Sequence, residues 1–310
     1  MGGRLGAMIA LRLVSCVLVV LVVVTVVFVV TRATGDPITL LAPIDASQAD
    51  IERIQRAEGL KDPLYQQYGR FLWRAVQLDM GTSFRTHQPA TSEVGARLSA
   101  TLQLGAAALV ISLLIGIPVG VLSAVRRGSV FDLLARLLAL IGQAVPNFWL
   151  GLMLILFFSV KLGWLPTGGT GGPRNLFLPA LTLGAASAAA IVRLTRSGML
   201  EVLSSDFIRT ARAKGLRGRT VIVRHALRLA LFPVLTILGI QVGQVIAGAI
   251  VVETVFSWPG IGRLMIQSIN SADYPVVQVG VIYVASAIVL ANALVDICYT
   301  VLDPRIRSAA

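Results

Sequence analysis

Few residues in this sequence have the types and spacing needed for catalysis or nucleotide binding. Residues 168–172 are rich in glycine, but no Lys-Ser or Lys-Thr pair follows, so the phosphate-binding loop of nucleotide hydrolases is missing. No H-E-x-x-H motif and no serine-centred elbow occurs. Cys16 and Cys298 lie in apolar runs, which is typical of small core residues and not of a metal site. We expect a chain that is not an enzyme and binds no cofactor or metal.

The composition predicts an integral membrane protein. The 310 residues are 56% hydrophobic and only 14% charged, which leaves too little polar surface for a soluble domain. The net charge of +12 would suit nucleic acid in a soluble protein. Here the basic residues lie between apolar segments, so we expect contact with membrane lipid and none with nucleic acid.

Six apolar segments are long enough to cross about 30 Å of hydrocarbon as helices, which takes about 20 residues each. They cover residues 8–30, 101–124, 133–160 (interrupted at Pro146), 177–192, 229–252 and 276–302. The first is too long for a cleaved signal peptide and predicts a retained anchor. Runs of glycine and alanine within these segments favour close helix packing.

Basic residues in the short loops set the expected orientation. The segment 193–228 is rich in arginine, and its side of the membrane is therefore predicted to be cytoplasmic, with both chain termini. We divide the chain into an N-terminal helix (1–30), an extracytoplasmic insertion (31–99), a five-helix core (100–302) containing the cytoplasmic loop 193–228, and a tail (303–310). Residues 31–99 are predicted to form short amphipathic helices, with a helix start at Asp62-Pro63.

The spans hold few ionisable residues, which bears on the energy source. Asp132 and Arg136 lie near the inner end of the third span, and Asp296 lies near that of the sixth. A proton- or sodium-driven carrier keeps buried charged residues despite their cost of about 2.5–3.5 kcal/mol at the bilayer centre. No such relay is visible in the sequence, so an external motor is favoured.

The cytoplasmic loop contains a predicted short helix at residues 204–215. Ser204 or Ser205 is a suitable N-cap, Asp206 suits the positive end of the helix dipole, and Gly215 suits a left-handed stop. Phe207, Ile208 and Ala211 form an apolar face, and basic residues follow. A docking helix and a basic loop that only touches anionic lipid both fit this pattern.

Several stretches resemble the permease subunits of bacterial ABC importers, in the dipeptide and oligopeptide branch. Residues 209–215, Arg-Thr-Ala-Arg-Ala-Lys-Gly, resemble the "EAA" loop of these permeases, although Arg209 and Thr210 replace Glu-Ala. Similar matches occur at residues 79–83 (Asp-Met-Gly-Thr-Ser), 101–105, 224–228, 253–262 (Glu-Thr-Val-Phe-Ser-Trp-Pro-Gly-Ile-Gly), 273–275 and 303–305. The chain is identified as the first permease of such a pair.

The resemblance implies the type I ABC importer permease fold and a set of partners. These are a second homologous permease in a heterodimer, two ATPase subunits that bind ATP and magnesium, and an extracytoplasmic substrate-binding protein. It also implies a multi-pass protein of the inner cell membrane that imports peptides. The residues expected to couple to an ATPase are Ser205, Asp206, Phe207, Ile208, Arg209, Ala211, Arg212, Lys214 and Gly215.

Two further groups of residues are candidates within the transport machinery. Ser187, Gln241 and Gln244 are polar groups inside spans four and five, and they either line the translocation path or bond neighbouring helices. Candidates for an outer gate or docking contact are Glu253, Trp258, Pro259 and Gly260. A six-span secondary carrier or channel and a membrane assembly factor without transport activity remain the alternative functions.

Overall fold

The computed structural model describes residues 2–34, 62–77 and 79–302. The regular elements of this part are helical, apart from one isolated β-bridge between Thr82 and Pro89. The all-α fold class predicted from the sequence is confirmed. Much of the insertion predicted at 31–99 and the whole tail predicted at 303–310 lie outside the described residues.

The described residues contain a series of helices. In chain order they are α1 (Gly2–Thr34), α2 (Leu64–Val76), α3 (Ala90–Val125), α4 (Val130–Ala144), α5 (Asn147–Leu154), α6 (Pro173–Leu203), α7 (Asp206–Ala213), α8 (Gly218–Thr220), α9 (Leu227–Ala230), α10 (Phe232–Val255), α11 (Ile261–Asn270) and α12 (Tyr274–Leu302). Two π-helical stretches extend this series. One, Ile155–Lys161, continues α5, and the other, Val221–Ala226, joins α8 to α9.

The chain divides into two compact units. Residues 1–99 and 260–293 form the first, and residues 100–259 and 294–310 form the second. In the first unit, α1 packs against α2, where the Thr25 and Tyr68 hydroxyls lie 2.7 Å apart and the rings of Phe28 and Phe71 lie 5.5 Å apart. The second unit contains the helices that carry most of the candidate site.

The six predicted spans coincide with helical stretches, but the number of times the chain crosses the membrane stays a prediction. In the described residues, α3, α6, α10 and the Tyr274–Ala293 part of α12 are long and apolar enough to cross a membrane. α1 contributes a shorter apolar helix, Val14–Val30.

The third predicted span is bent. Val130–Ala144 and Asn147–Lys161 meet at 111°, which fits either one broken span or a re-entrant loop. The break falls at the predicted residue, Pro146. Val145 before it is extended (φ −78°, ψ 127°), because a proline ring disfavours helical backbone in the preceding residue.

α6 is the most deeply packed of the candidate spans, and it continues to Leu203, well beyond the predicted end at residue 192. Arg193 and Arg196 end the apolar run without ending the helix, because arginine is a good helix former. The first part of the segment 193–228 is therefore helix and not loop. Helix ends and apolar-segment ends do not coincide here.

Glycines allow the helices of the second unit to approach closely. A Cβ atom on Gly120 of α3 would lie 2.6 Å from the Thr195 Cβ of α6, and one on Gly184 of α6 would lie 2.6 Å from the Ala108 carbonyl oxygen of α3. These contacts agree with the small-residue packing predicted from the sequence. The outward faces remain apolar, with Leu114 of α3 69% exposed. This pattern suits a lipid or subunit environment.

Candidate coupling helix, ion pair and pocket

The predicted cytoplasmic helix is present as α7, Asp206–Ala213, and it packs on its own chain. Ile208 is fully buried and Ala211 is 8% exposed. Both belong to an apolar cluster with residues from α3, α6, the π-helical stretch and α9: Ala124, Met199, Val221, Ala226 and Ala230. These two side chains therefore hold α7 in place and present little surface to another protein.

The ends of α7 follow the sequence prediction only in part. Ser205 occupies the N-cap position, but its hydroxyl donates to the Val202 carbonyl oxygen at 2.6 Å and does not cap the helix. Gly215 has φ +75° and ends the helix in the left-handed region, as predicted. The Leu216 amide donates back to the Ala211 carbonyl oxygen at 3.4 Å, closing the last turn.

The other face of α7 is polar and exposed. Arg209 pairs with Asp206 at 3.3 Å, and both side chains are largely exposed. Phe207 is 41% exposed and contacts the ring of His225 edge to face. Arg212 and Lys214 are exposed after them. The exposed surface at α7 therefore includes one aromatic ring, the acidic Asp206, and the cationic side chains of Arg209, Arg212 and Lys214.

A buried ion pair lies between α4 and α6. The Asp132 side chain is 1% exposed, and its carboxylate accepts two hydrogen bonds from Arg196, at 2.7 Å from Nε and 3.0 Å from Nη2. The Ser123 hydroxyl donates to the same carboxylate at 2.6 Å, and the Gly128 amide donates at 3.0 Å. This one carboxylate therefore joins the end of α3, the following turn, α4 and α6.

The polar residues predicted for the translocation path are brought together. The Ser187 hydroxyl of α6 donates to Gln241 Oε1 of α10 at 3.1 Å, and both residues are buried. Gln241 and Gln244 also line a pocket of about 380 Å³, together with Gln143 of α4, two alanines of α6 and two isoleucines of α10. Gln241 therefore bonds neighbouring helices, one of the two interpretations from the sequence, while a role in lining the translocation path stays a prediction.

Glu253 is fixed inside the second unit. Its side chain is fully buried and accepts a hydrogen bond from the Thr101 hydroxyl at 2.7 Å. Its carbonyl oxygen accepts from the Trp258 amide at 2.8 Å, and the Trp258 indole donates to the Ala100 carbonyl oxygen at 2.9 Å. Glu253 and Trp258 therefore tie the end of α10 to the part of α3 that begins at residue 100.

The remaining outer candidates and the glycine-rich run have structural explanations. Pro259 is half-buried, and Gly260 is buried as the N-cap residue of α11. A Cβ atom on Gly168 would collide with the Phe256 carbonyl oxygen, which accepts a hydrogen bond from the Gly169 amide at 2.9 Å. Glycine is required at residue 168 because two backbones meet there.

Two of the sequence motifs that resemble importer permeases contact each other in the first unit. Asp273, 2% exposed, accepts hydrogen bonds from the Ser83 hydroxyl and, at 3.1 Å, from the Phe84 amide. Ser83 ends the Asp-Met-Gly-Thr-Ser motif, and Asp273 begins Asp-Tyr-Pro. Their pairing explains why both motifs carry polar residues in an apolar chain.

Sequence reasoning did not find Gln143 or the partnership of Asp132 with Arg196. In the sequence, Arg196 is one of several arginines in the segment 193–228, and Asp132 is a charged residue near the end of a span. The available signal was an acidic residue close to an apolar span whose charge requires a partner.

The comparisons agree with the predicted family. Residues 116–308 match the family described as binding-protein-dependent transport system inner membrane component. The dipeptide transport system permease protein DppB of Escherichia coli (strain K12) is 44% identical over 305 residues, covering 88% of this chain and 90% of that protein. The oligopeptide transport system permease protein AppB of Bacillus subtilis (strain 168) is 44% identical over 292 residues, covering 90% and 92%.

A third relative is named for a different substrate. The glutathione transport system permease protein GsiC of Escherichia coli (strain K12) is 42% identical over 273 residues, covering 88% of this chain and 89% of that protein. These full-length similarities favour a permease over the carrier, channel and assembly-factor alternatives. The chain belongs to the family of binding-protein-dependent transport system inner membrane components, as a multi-pass permease subunit of the inner membrane.

Proposed function

We propose that this permease forms half of the translocation pathway of an ATP-driven importer of di- or oligopeptides. Its partners are a second homologous permease, two ATPase subunits and an extracytoplasmic substrate-binding protein. The names of DppB and AppB support the cargo class. The structural observation that carries the proposal is α7, a short helix held by its own chain with a polar face left exposed.

In this proposal α7 transmits movement from one ATPase to the permease. Phe207 enters an apolar recess of the ATPase, and Arg209, Arg212 and Lys214 pair with acidic groups around it. Ile208 and Ala211 anchor the helix from the inside, while Ser205, Asp206 and Gly215 set its ends. A short helix with defined ends moves as one body, which a flexible loop does not.

The other features expected from the sequence follow the same proposal. ATP and magnesium bind to the ATPase subunits, and this chain carries neither. Both termini lie in the cytoplasm. Ser187, Gln241 and Gln244 border the path between the two permeases. Glu253 and Trp258 hold the outer end of α10, and Pro259 and Gly260 shape the turn that follows towards the binding protein.

Reconstitution tests the energy source. We expect vesicles containing both permeases, both ATPases and the binding protein to take up a labelled dipeptide only when ATP is present on the ATPase side. A substitution that abolishes ATP hydrolysis in the ATPases should stop uptake. Uptake by this chain along an ion gradient, without the ATPases, would overturn the proposal.

Cross-linking tests the contact of α7. In a background with Cys16 and Cys298 replaced by serine, Thr210→Cys places a thiol on the exposed face of α7. We expect a short bifunctional reagent to join this residue to an ATPase subunit. Lys161→Cys, also exposed but at the far end of the bent pair, is the matched control and should give no such product.

A further inference from the structure

The pocket between α4, α6 and α10 is lined by neutral residues. Three glutamines, Gln143, Gln241 and Gln244, supply its polar groups, and no charged side chain is among its lining residues. Its volume of about 380 Å³ lies at the small end of the range for ligand sites, about 300–1,000 Å³. A small polar ligand without a required charge fits this lining best.

Gln241 is oriented by its surroundings. The residue is only 5% exposed, and its Oε1 accepts the hydrogen bond from Ser187. That hydrogen bond uses one of the two acceptor positions of the oxygen and orients the amide, whose nitrogen can donate to a ligand. Gln143 and Gln244 are exposed on α4 and α10, and each can both donate and accept.

We propose that these three amides form a transit site that binds the peptide bonds of the cargo and does not select among side-chain charges. This inference rests on the proposed function and names the chemistry of its path. A side-chain amide presents the same N–H and C=O groups as a peptide bond, so the two pair reciprocally. Neutral hydrogen bonds exchange with water at little net gain, so the cargo is held weakly and released.

Introducing a charge provides the sharpest test. In the reconstituted importer, Gln244→Glu should raise the ratio of uptake of a lysine-containing dipeptide to that of an aspartate-containing dipeptide by about tenfold, as expected for one partly screened charge pair. Gln244→Lys should lower the same ratio. The binding protein is unchanged throughout, so its own selectivity cancels when each variant is compared with the wild-type complex.

Two further variants complete the design. Gln143→Glu places the charge on a different helix of the same pocket and should shift the ratio in the same direction as Gln244→Glu. Gln103→Glu is the matched control, because Gln103 is an exposed glutamine of α3 outside the pocket. It should leave the ratio at the wild-type value.

The outcomes separate this inference from the proposed function. If the wild-type complex shows no ATP-dependent peptide uptake, the proposed function fails. If the wild type transports peptides and all three pocket variants (Gln244→Glu, Gln244→Lys and Gln143→Glu) leave the ratio unchanged, only the transit site is overturned. Loss of the second permease from purified Gln244→Glu complexes would identify the pocket as a subunit contact and would also overturn it.

Discussion

At the scale of single residues, the Asp132 carboxylate is held by several partners. Its carboxylate accepts from Arg196, Ser123 and the Gly128 amide, so a charge that would be costly to bury alone is fully compensated. Removing one partner leaves the other buried without a counter-charge. The pair therefore holds α4 against α6, together with the apolar contacts of Ala139, Ala189 and Val192.

We expect Asp132→Asn to lower the stability of the purified protein markedly. Breaking a buried pair typically costs about 3–5 kcal/mol, because the remaining charge loses its partner. Here the remaining charge is that of Arg196, whose side chain is only 20% exposed. Thermal unfolding in detergent measures the effect as a lower melting temperature. Arg136→Gln is the control, since Arg136 is 51% exposed and lies 3.6 Å from Asp132, where a pair contributes about 0–1 kcal/mol. Equal melting temperatures for the two variants would contradict this account.

Gly215 provides a second prediction at this scale. Apart from its chain neighbours, no atom lies within 4 Å of the position of a Cβ added to Gly215, so the left-handed backbone and not packing limits the choice of residue there. Asparagine adopts this conformation readily and β-branched residues do not. We expect Gly215→Val to reduce peptide transport per ATP hydrolysed and Gly215→Asn to preserve it. Similar ratios for both variants would show that the end of α7 plays no part in coupling.

At the scale of elements, glycine positions determine how closely α3 and α6 pack. A Cβ on Gly120 would lie 2.8 Å from the Val192 carbonyl oxygen as well as 2.6 Å from Thr195 Cβ. One helix must shift to accept it.

We therefore expect Gly120→Ala to destabilise the protein by about 1–3 kcal/mol through overpacking. Gly95→Ala, on the same helix but with no atom within 4 Å of the added carbon, should be neutral or slightly stabilising. Melting temperatures of the two variants measure the difference. If Gly95→Ala lowers the melting temperature as much as Gly120→Ala does, the loss of stability does not come from the close contact of α3 with α6.

The sequence predicted elements better than contacts. Hydropathy located the apolar helices, Pro146 marked the bend, and the short helix in the arginine-rich loop was found at nearly its observed limits. The surface against which Ile208 and Ala211 pack was not predictable. The spacing of apolar residues shows that a helix has an apolar face, but not whether that face packs on its own chain or on a partner. Asp132 and Arg196 are 64 positions apart, and only the packed fold brings them together.

At the scale of the whole molecule, the bent pair leaves the membrane topology open. Six crossings require that the two ends of the Val130–Lys161 region emerge on opposite sides, whereas a re-entrant loop returns both ends to one side. In the background without Cys16 and Cys298, we expect Arg126→Cys to react with an impermeant reagent only from the cytoplasm and Lys161→Cys only from outside.

Gln88→Cys is the reference for this labelling, because its residue is exposed and belongs to the predicted extracytoplasmic segment 31–99. It should react from outside in either topology. If both Arg126→Cys and Lys161→Cys react from the cytoplasm, the bent pair is a re-entrant loop and the chain has one crossing fewer than predicted. The two chain termini would then lie on opposite sides of the membrane.

The continuity of α6 has a mechanical consequence. Its 31 residues form a rod about 46 Å long, and four hydrogen bonds from Ser204 and Ser205 to the carbonyl oxygens of Glu201 and Val202 hold the two-residue connection to α7 against the last turn of α6. Ser187 lies about 24 Å along this rod from Leu203. In the proposed coupling, a displacement of α7 is passed to α6 through this connection. Such a displacement would tilt α6, which carries part of the pocket wall, or strain the Asp132–Arg196 ion pair.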